Sequence, residues 1–138
     1  MQFAQIHDRI ETDPAAAGPL DLSALPGTWV NSNPETSGIA RMVMSDQDGE
    51  LVLQTFGIGP DGLIDWGTAE VAIFTSAPSS RLAAGFSCHY DFGFGEARLQ
   101  GMIMKGLLVL AQFHHFKDES GRADHFVREY FALAHGKF

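Results

Sequence analysis

The sequence predicts an all-β protein: an eight-stranded antiparallel up-and-down β-barrel preceded by a short N-terminal helical arm. Eight segments rich in β-branched and aromatic residues recur at regular spacing, separated by Gly, Pro and Asp turn signals. Every connection between them is short, which favours pairing between strands that are neighbours in the chain. Closure into a barrel removes the unpaired edges of an open sheet, so it is favoured over a β-sandwich.

The composition is that of one globular domain and excludes several classes of function. The chain has 138 residues, of which 45% are hydrophobic, and a formal net charge of −8. So acidic a chain offers no basic surface for nucleic acid or for an anionic membrane. No segment has the roughly 20 consecutive apolar residues of a spanning helix. With no visible secretion signal and one cysteine, Cys88, we expect a cytoplasmic protein without disulfides.

The arm, residues 1–21, differs from the barrel domain, residues 22–138. Phe3, Ile6 and Ile10 have helical spacing and precede a linker rich in Pro and Ala. A helix this short is unstable alone, so we expect it to pack on the barrel or on a partner chain.

Each predicted strand ends at a turn signal. Asp48-Gly49 is a strong hairpin signal between strands two and three, and Lys105-Gly106 makes a tight turn between strands six and seven. Pro or Gly interrupts the chain after most of the others. In order, the predicted strands are 28–32, 38–45, 50–57, 67–75, 82–92, 97–104, 107–116 and 125–133.

The Lys105-Gly106 turn also predicts a register. A two-residue turn pairs Met104 with Leu107, and one face of the hairpin then carries His115 while the other carries His114. The face with His114 is the more apolar and is the expected interior, although the His115 face would suit a polar cavity. Both histidines therefore stay candidates. The apolar face contains Leu99, Ile103, Leu108, Leu110, Gln112, His114 and Phe116.

Two motifs carry a resemblance to known β-barrels. Gly27-Thr28-Trp29, at the head of the first strand, resembles the Gly-x-Trp signature of the calycin superfamily, which contains lipocalins, fatty-acid-binding proteins and avidins. The residues 128–130, Arg-Glu-Tyr, resemble the Arg-x-Tyr of fatty-acid-binding proteins, which holds a ligand carboxylate inside the barrel. The resemblance implies a calycin-like barrel with Trp29 plugging one end. The chain has no room for the ten strands and helical lid of fatty-acid-binding proteins.

Further motifs are similar to those of a group of small bacterial β-barrel proteins of unassigned function. This similarity implies a fold and no activity. The motifs lie at 27–31, 38–41, 65–67 and 115–122.

The expected ligand-binding residues are Trp29, Trp66, Tyr90, Arg128 and Tyr130. Arg128 and Tyr130 lie two residues apart on one strand and therefore share a face. An arginine on an otherwise apolar face is paired or directed into a polar cavity. Arg128 either grips a ligand anion or packs on Trp29 through a cation–π contact.

No metal site or cofactor is predicted. Most of the histidines fall in the last fifty residues, but no strand contains a His-x-His pair. His114 and His115 are adjacent, so they point to opposite faces and cannot share one ion.

The favoured function is a barrel that encloses a small apolar or amphipathic molecule, with Arg128 and Tyr130 at its polar end. The alternative is a cofactor-free cyclase or isomerase of secondary metabolism, in which the barrel confines the substrate. His114, His115 or Tyr130 would then act as the acid or base. A filled barrel with a structural role is a third hypothesis.

A homodimer is also predicted. The predicted strands five to seven are apolar on both faces, whereas a strand exposed to water is polar on its outer face. We expect a second copy to cover this outer surface in a two-fold arrangement.

Overall fold

The computed structural model describes residues 18–134, which form one antiparallel sheet of nine strands curled into a half-barrel. The all-β antiparallel class is thus confirmed. Within residues 18–134 no helix is long and apolar enough to cross a membrane. The predicted helix at 2–10 lies outside the described residues. The strands are β1 (Gly27–Asn31), β2 (Ile39–Gln47), β3 (Glu50–Gly59), β4 (Gly62–Glu70), β5 (Ala72–Thr75), β6 (Ala83–Asp91), β7 (Gly95–Met104), β8 (Leu107–Phe116) and β9 (His125–Leu133).

Strands that follow one another in the chain lie side by side. The order across the sheet is β4-β3-β2-β1-β9-β8-β7-β6-β5, and all paired strands are antiparallel. The first and last strands, β1 and β9, pair with each other in its middle. The two edge strands, β4 and β5, are consecutive in the chain, so the sheet must curl to bring its edges towards each other.

The structure has nine strands where eight were predicted. The predicted strand 67–75 corresponds to the end of β4 together with β5. β4 begins at Gly62, directly after the Pro60-Asp61 turn, where the sequence suggested a longer break. Val71 then separates β4, which pairs with β3, from β5, which pairs with β6. Residues 62–75 therefore form both edge strands of the sheet.

The β7–β8 register is the one that the Lys105-Gly106 turn predicts. Met104 pairs with Leu107 and Glu96 with His115. Lys105 has a φ of 54° and Gly106 a φ of 81°, the left-handed conformations that a tight two-residue hairpin requires. The inner face of this hairpin is the apolar one, so His114 faces inward and His115 faces outward.

The hydrophobic core fills one end of the half-barrel. Trp29 is 2% exposed, and its indole Nε1 donates a hydrogen bond to the Leu25 carbonyl at 2.9 Å. This bond pairs the one polar atom of an otherwise apolar ring. The largest buried apolar side chains around it are those of Leu25, Ile39, Met42, Leu51, Leu53, Phe86, Leu99, Leu108, Leu110 and Phe131.

Three buried polar residues lie between this core and the other end of the half-barrel. Asn31 is 7% exposed, Thr55 is 0% exposed and Gln112 is 1% exposed. Buried polar groups persist when they are hydrogen-bonded, and each of these three has a partner. Beyond this polar layer the interior opens.

Candidate functional site

A pocket of about 600 Å³ occupies the open end of the half-barrel. Side chains of β3, β4, β8 and β9 line it, together with the β1–β2 loop and the residues that follow β6. Its volume lies in the range of small-molecule sites. The lining includes Thr36, Gly57, Trp66, Phe92, Phe94, Gln112, His114, Phe116, Arg122, His125, Val127 and Glu129.

One wall of the pocket is aromatic. The Phe92 ring stacks on Phe94, with centroids 5.7 Å apart, and on Tyr90 at 5.9 Å. Trp66 meets Phe92 edge to face at 5.1 Å. Rings that support one another in this way form a rigid apolar surface, suited to a flat apolar ligand.

Gly57 allows Trp66 to occupy this wall. A Cβ atom at position 57 would lie 2.6 Å from the Trp66 indole Nε1, closer than two such atoms can approach. Because Gly57 has no side chain, the indole can lie directly against β3 at this position. This is a close approach that only glycine permits.

The floor of the pocket is polar and centres on the Glu129 carboxylate. Oε2 accepts hydrogen bonds from Thr36 Oγ1 at 2.7 Å and Asn31 Nδ2 at 2.8 Å. Oε1 accepts one from Gln112 Nε2 at 3.0 Å. Three donors from three segments of the chain thus fix the carboxylate and hold the β1–β2 loop over the pocket.

These contacts keep Glu129 ionised. Burial alone would raise the pKa of Glu129, but the hydrogen bonds from Thr36, Gln112 and Asn31, together with His114, outweigh it and lower that pKa. Hydrogen bonds to the charged form of a carboxylate favour that form.

His114 lies next to this network. Its Nε2 is 3.3 Å from Gln112 Oε1, and its ring stacks on His125 with centroids 4.7 Å apart. Burial and then the nearby His125 lower the pKa of His114, although Glu129 opposes them. The His114 imidazole is therefore neutral at pH 7.

Arg122 lies at the rim of the pocket. Its guanidinium carbon is 4.2 Å from the Phe116 ring centroid and 5.2 Å from that of Phe94. Its Nη2 donates to Asp118 Oδ2 at 3.0 Å and its Nε to Ser120 Oγ at 2.9 Å. The ring contacts are cation–π packing, and Asp118 forms an ion pair that offsets the charge of Arg122.

Three of the residues predicted to bind a ligand face the interior, at different depths. Trp66 forms part of the pocket wall. Tyr90 lies behind that wall, and its hydroxyl contacts Thr55 Oγ1 at 3.1 Å and the Gly67 carbonyl at 3.0 Å. Trp29 lies in the core, below the polar layer.

Arg128 and Tyr130 lie on the outer face of β9, away from this pocket. This pair was predicted to point inward. In the structure Glu129 lines the pocket, so its neighbours Arg128 and Tyr130 point to the opposite face of the strand. Arg128 is exposed and Tyr130 is 47% exposed. Because Trp29 faces inward, the alternative Arg128–Trp29 contact is not formed either.

His115, the other histidine candidate, is also on the outer face. Its Nδ1 lies 2.7 Å from Asp124 Oδ2, in an exposed hydrogen-bond contact. It therefore has no access to the pocket, which leaves His114 as the inward-facing member of the pair.

Glu129, Thr36 and Asn31 were not predicted as site residues. One signal was present: Gln112 and His114 fall on an otherwise apolar interior face, and a buried amide requires polar partners from another strand. Their partner Glu129 lies on the face of β9 opposite to Arg128 and Tyr130, so the resemblance of that pair to Arg-x-Tyr did not indicate it.

Within residues 18–134, no group of three or more His, Cys, Asp or Glu side chains is arranged to hold a metal ion. Comparison of the chain with protein-family models, curated proteins and solved structures found no match.

Proposed function

We propose that this protein binds a small, uncharged, amphipathic molecule with a ring system in the pocket at the open end of the half-barrel. The observation that carries the proposal is the division of a pocket of about 600 Å³ into an aromatic wall and a hydrogen-bonding floor. Such a division buries an apolar body and orients its polar end, which is how small-molecule sites combine affinity with specificity.

The charges around the pocket favour an uncharged ligand. The carboxylates of Glu129, Asp65 and Glu96 line it, so an anionic ligand would meet like charges. Arg122 is already paired with Asp118. Glu129 is saturated by three hydrogen-bond donors and does not require a cation. The polar end of the ligand is therefore assigned to His114 and its neighbours instead of Arg128 and Tyr130.

The calycin-like interpretation of the fold is part of the same proposal. Gly27-Thr28-Trp29 lies at the head of β1, and Trp29 is buried below the ligand pocket, as the Gly-x-Trp resemblance implies. The first and last strands, β1 and β9, pair with each other, as they would in an up-and-down barrel.

A fluorescence titration with N-phenyl-1-naphthylamine, an uncharged aromatic probe, tests the proposal. We expect saturable binding, because the probe fits the aromatic wall. The variant Val127→Trp, which fills the pocket, should weaken binding at least tenfold. Val109→Trp, at a half-buried position on the outer face of the sheet, is the matched control and should bind as the unmodified chain does.

Equal binding by the two tryptophan variants would place the probe elsewhere and contradict the proposal. No saturable binding by the unmodified chain would favour the structural role considered above.

A further inference from the structure

The hydrogen bonds around Gln112 determine which nitrogen of His114 carries the proton. An ionised carboxylate only accepts hydrogen bonds, so the Gln112 amide must direct its NH₂ group to Glu129 Oε1. The Gln112 carbonyl oxygen is then the atom that faces His114 Nε2. Since that oxygen only accepts, Nε2 is the donor, and neutral His114 carries its proton there.

The other nitrogen of His114, Nδ1, is therefore unprotonated. No residue within 18–134 makes a hydrogen bond to it. The ring itself lines the pocket. The result is a neutral imidazole with a fixed tautomer and an unused basic nitrogen, which is the state required of a general base.

His125 has the opposite tautomer. Its Nδ1 lies 3.0 Å from the Ala123 carbonyl oxygen, which only accepts hydrogen bonds, so Nδ1 carries the proton. The two stacked rings disfavour double protonation, since two adjacent positive charges repel. This pairing helps to keep His114 available as a base near neutral pH.

We propose that His114 is a catalytic acid–base, and that the pocket isomerises an uncharged, ring-containing carbonyl compound by proton transfer. Gln112 and Glu129 are positioning residues, since they fix the tautomer of His114. This inference rests on the proposed function, because the substrate is the molecule that the pocket binds.

The reaction is balanced without a co-reactant. His114 Nδ1 takes a proton from the carbon next to the carbonyl, and the electron pair of the broken C–H bond moves to the carbonyl oxygen, forming an enolate. The protonated His114 then gives the proton to the enolate oxygen, so that the ketone is converted to its enol. Substrate and product are isomers, and nothing is oxidised or reduced. The carbonyl acidifies this C–H bond, because the enolate places the negative charge on oxygen.

Long-range ¹H–¹⁵N NMR spectra of the histidine rings test the tautomer directly. At pH 7.5 we expect His114 to be protonated at Nε2 alone. In the variant Gln112→Leu this preference should be lost, whereas a purely structural role of Gln112 would leave it unchanged. Protonation of His114 at Nδ1 in the unmodified chain would overturn the inference.

Deuterium exchange tests the activity. The probe is 2-tetralone, an uncharged bicyclic ketone whose C–H bonds next to the carbonyl exchange in D₂O through an enolate. We expect the unmodified chain to raise the exchange rate above that of buffer. His114→Gln should lower the protein-dependent rate at least tenfold. His115→Gln, which changes the adjacent histidine on the opposite face, should leave the rate unchanged.

The outcomes separate this inference from the proposed function. Saturable binding of 2-tetralone without accelerated exchange overturns the catalytic role and leaves the binding site. Equal rates for the His114→Gln variant and the unmodified chain also overturn the catalytic role. Absence of saturable binding of both 2-tetralone and N-phenyl-1-naphthylamine overturns both proposals, whereas absence of 2-tetralone binding alone overturns the catalytic role.

Discussion

The buried thiol of Cys88 gives a prediction at the scale of one residue. Cys88 is on the inner face of β6, and burial raises the pKa of its thiol to about 12. Only the thiolate reacts with disulfide reagents, so at pH 8 the native protein should react with Ellman's reagent roughly a thousandfold more slowly than the urea-unfolded chain. The absorbance at 412 nm measures both rates. Similar rates would contradict the burial of Cys88.

The two adjacent histidines illustrate how much a residue's position could be predicted. The spacing alone placed His114 and His115 on opposite faces, and the Lys105-Gly106 turn predicted the register of the hairpin. Which of the two faces was interior stayed open, because the His115 face would have suited a polar cavity. The sequence could not identify Glu129 as the hydrogen-bond partner of Gln112. The eight residues between β8 and β9 set no fixed register, so the inward face of β9 was not predictable.

At the scale of the strand, two glycines give a matched pair of substitutions. Gly101→Ala places a Cβ atom against Phe86 Cε1 in the packed core, closer than two carbon atoms can approach. Overpacking of this kind costs about 1 to 3 kcal/mol, so the free energy of unfolding in urea should fall by that amount. Gly57→Ala instead displaces Trp66, which lines an open pocket and has room to move.

We therefore expect Gly57→Ala to lose less stability than Gly101→Ala but to weaken N-phenyl-1-naphthylamine binding at least tenfold. Gly101→Ala, once folded, should bind the probe normally. If instead Gly57→Ala binds the probe normally and Gly101→Ala binds it more weakly, the pocket wall is not where the probe binds.

The strand boundaries show where sequence reasoning succeeds and fails. Hairpins with two-residue turns were located well, because Gly and Asp at fixed positions specify both the turn and the register. The division between β4 and β5 was missed. Val71 is an ordinary strand-forming residue, and only the curvature of the whole sheet moves the segment from one neighbour to another.

At the scale of the whole molecule, the stability of the fold should fall as the pH is lowered from 7 to 5. The pKa of His114 is lowered in the folded state, mainly by burial, so below its ordinary value of 6.5 the unfolded chain binds more protons than the native one. The charged and titratable groups that face this ring are those of His125 and Glu129.

The lowered pKa of Glu129 adds a second loss of stability below its ordinary value of 4.5. Urea unfolding at each pH measures the slope, and His114→Gln should make it shallower between pH 7 and 5. If the free energy of unfolding of that variant depends on pH as it does in the unmodified chain, His114 is not the source of the loss of stability.

The outer face of the sheet predicts self-association. Phe113 and Phe126 are exposed, with ring centroids 5.0 Å apart, and Met102, Met104 and Tyr130 are exposed further along the same face. Exposed apolar patches of this kind mark interaction surfaces, and a two-fold contact between identical patches is the commonest arrangement. We predict a homodimer through this face.

Light scattering should give a mass of about 30 kDa, twice the 15.0 kDa of one chain. Phe113→Glu should give a monomer. Leu63→Glu, which changes an exposed residue on β4, should leave the dimer intact. A mass of 15.0 kDa that does not change on concentrating the protein would contradict the prediction.

The most direct test of the central claim uses the two tryptophans of the chain as internal reporters. Trp66 lies in the pocket wall, whereas Trp29 lies in the core with its indole N–H bonded to Leu25. Each gives one indole signal in a ¹H–¹⁵N correlation spectrum. On titration with N-phenyl-1-naphthylamine, we expect the Trp66 signal to shift saturably and the Trp29 signal to stay in place. A saturable shift of Trp29 without one of Trp66, or no shift of either, would contradict a ligand site at the open end of the half-barrel.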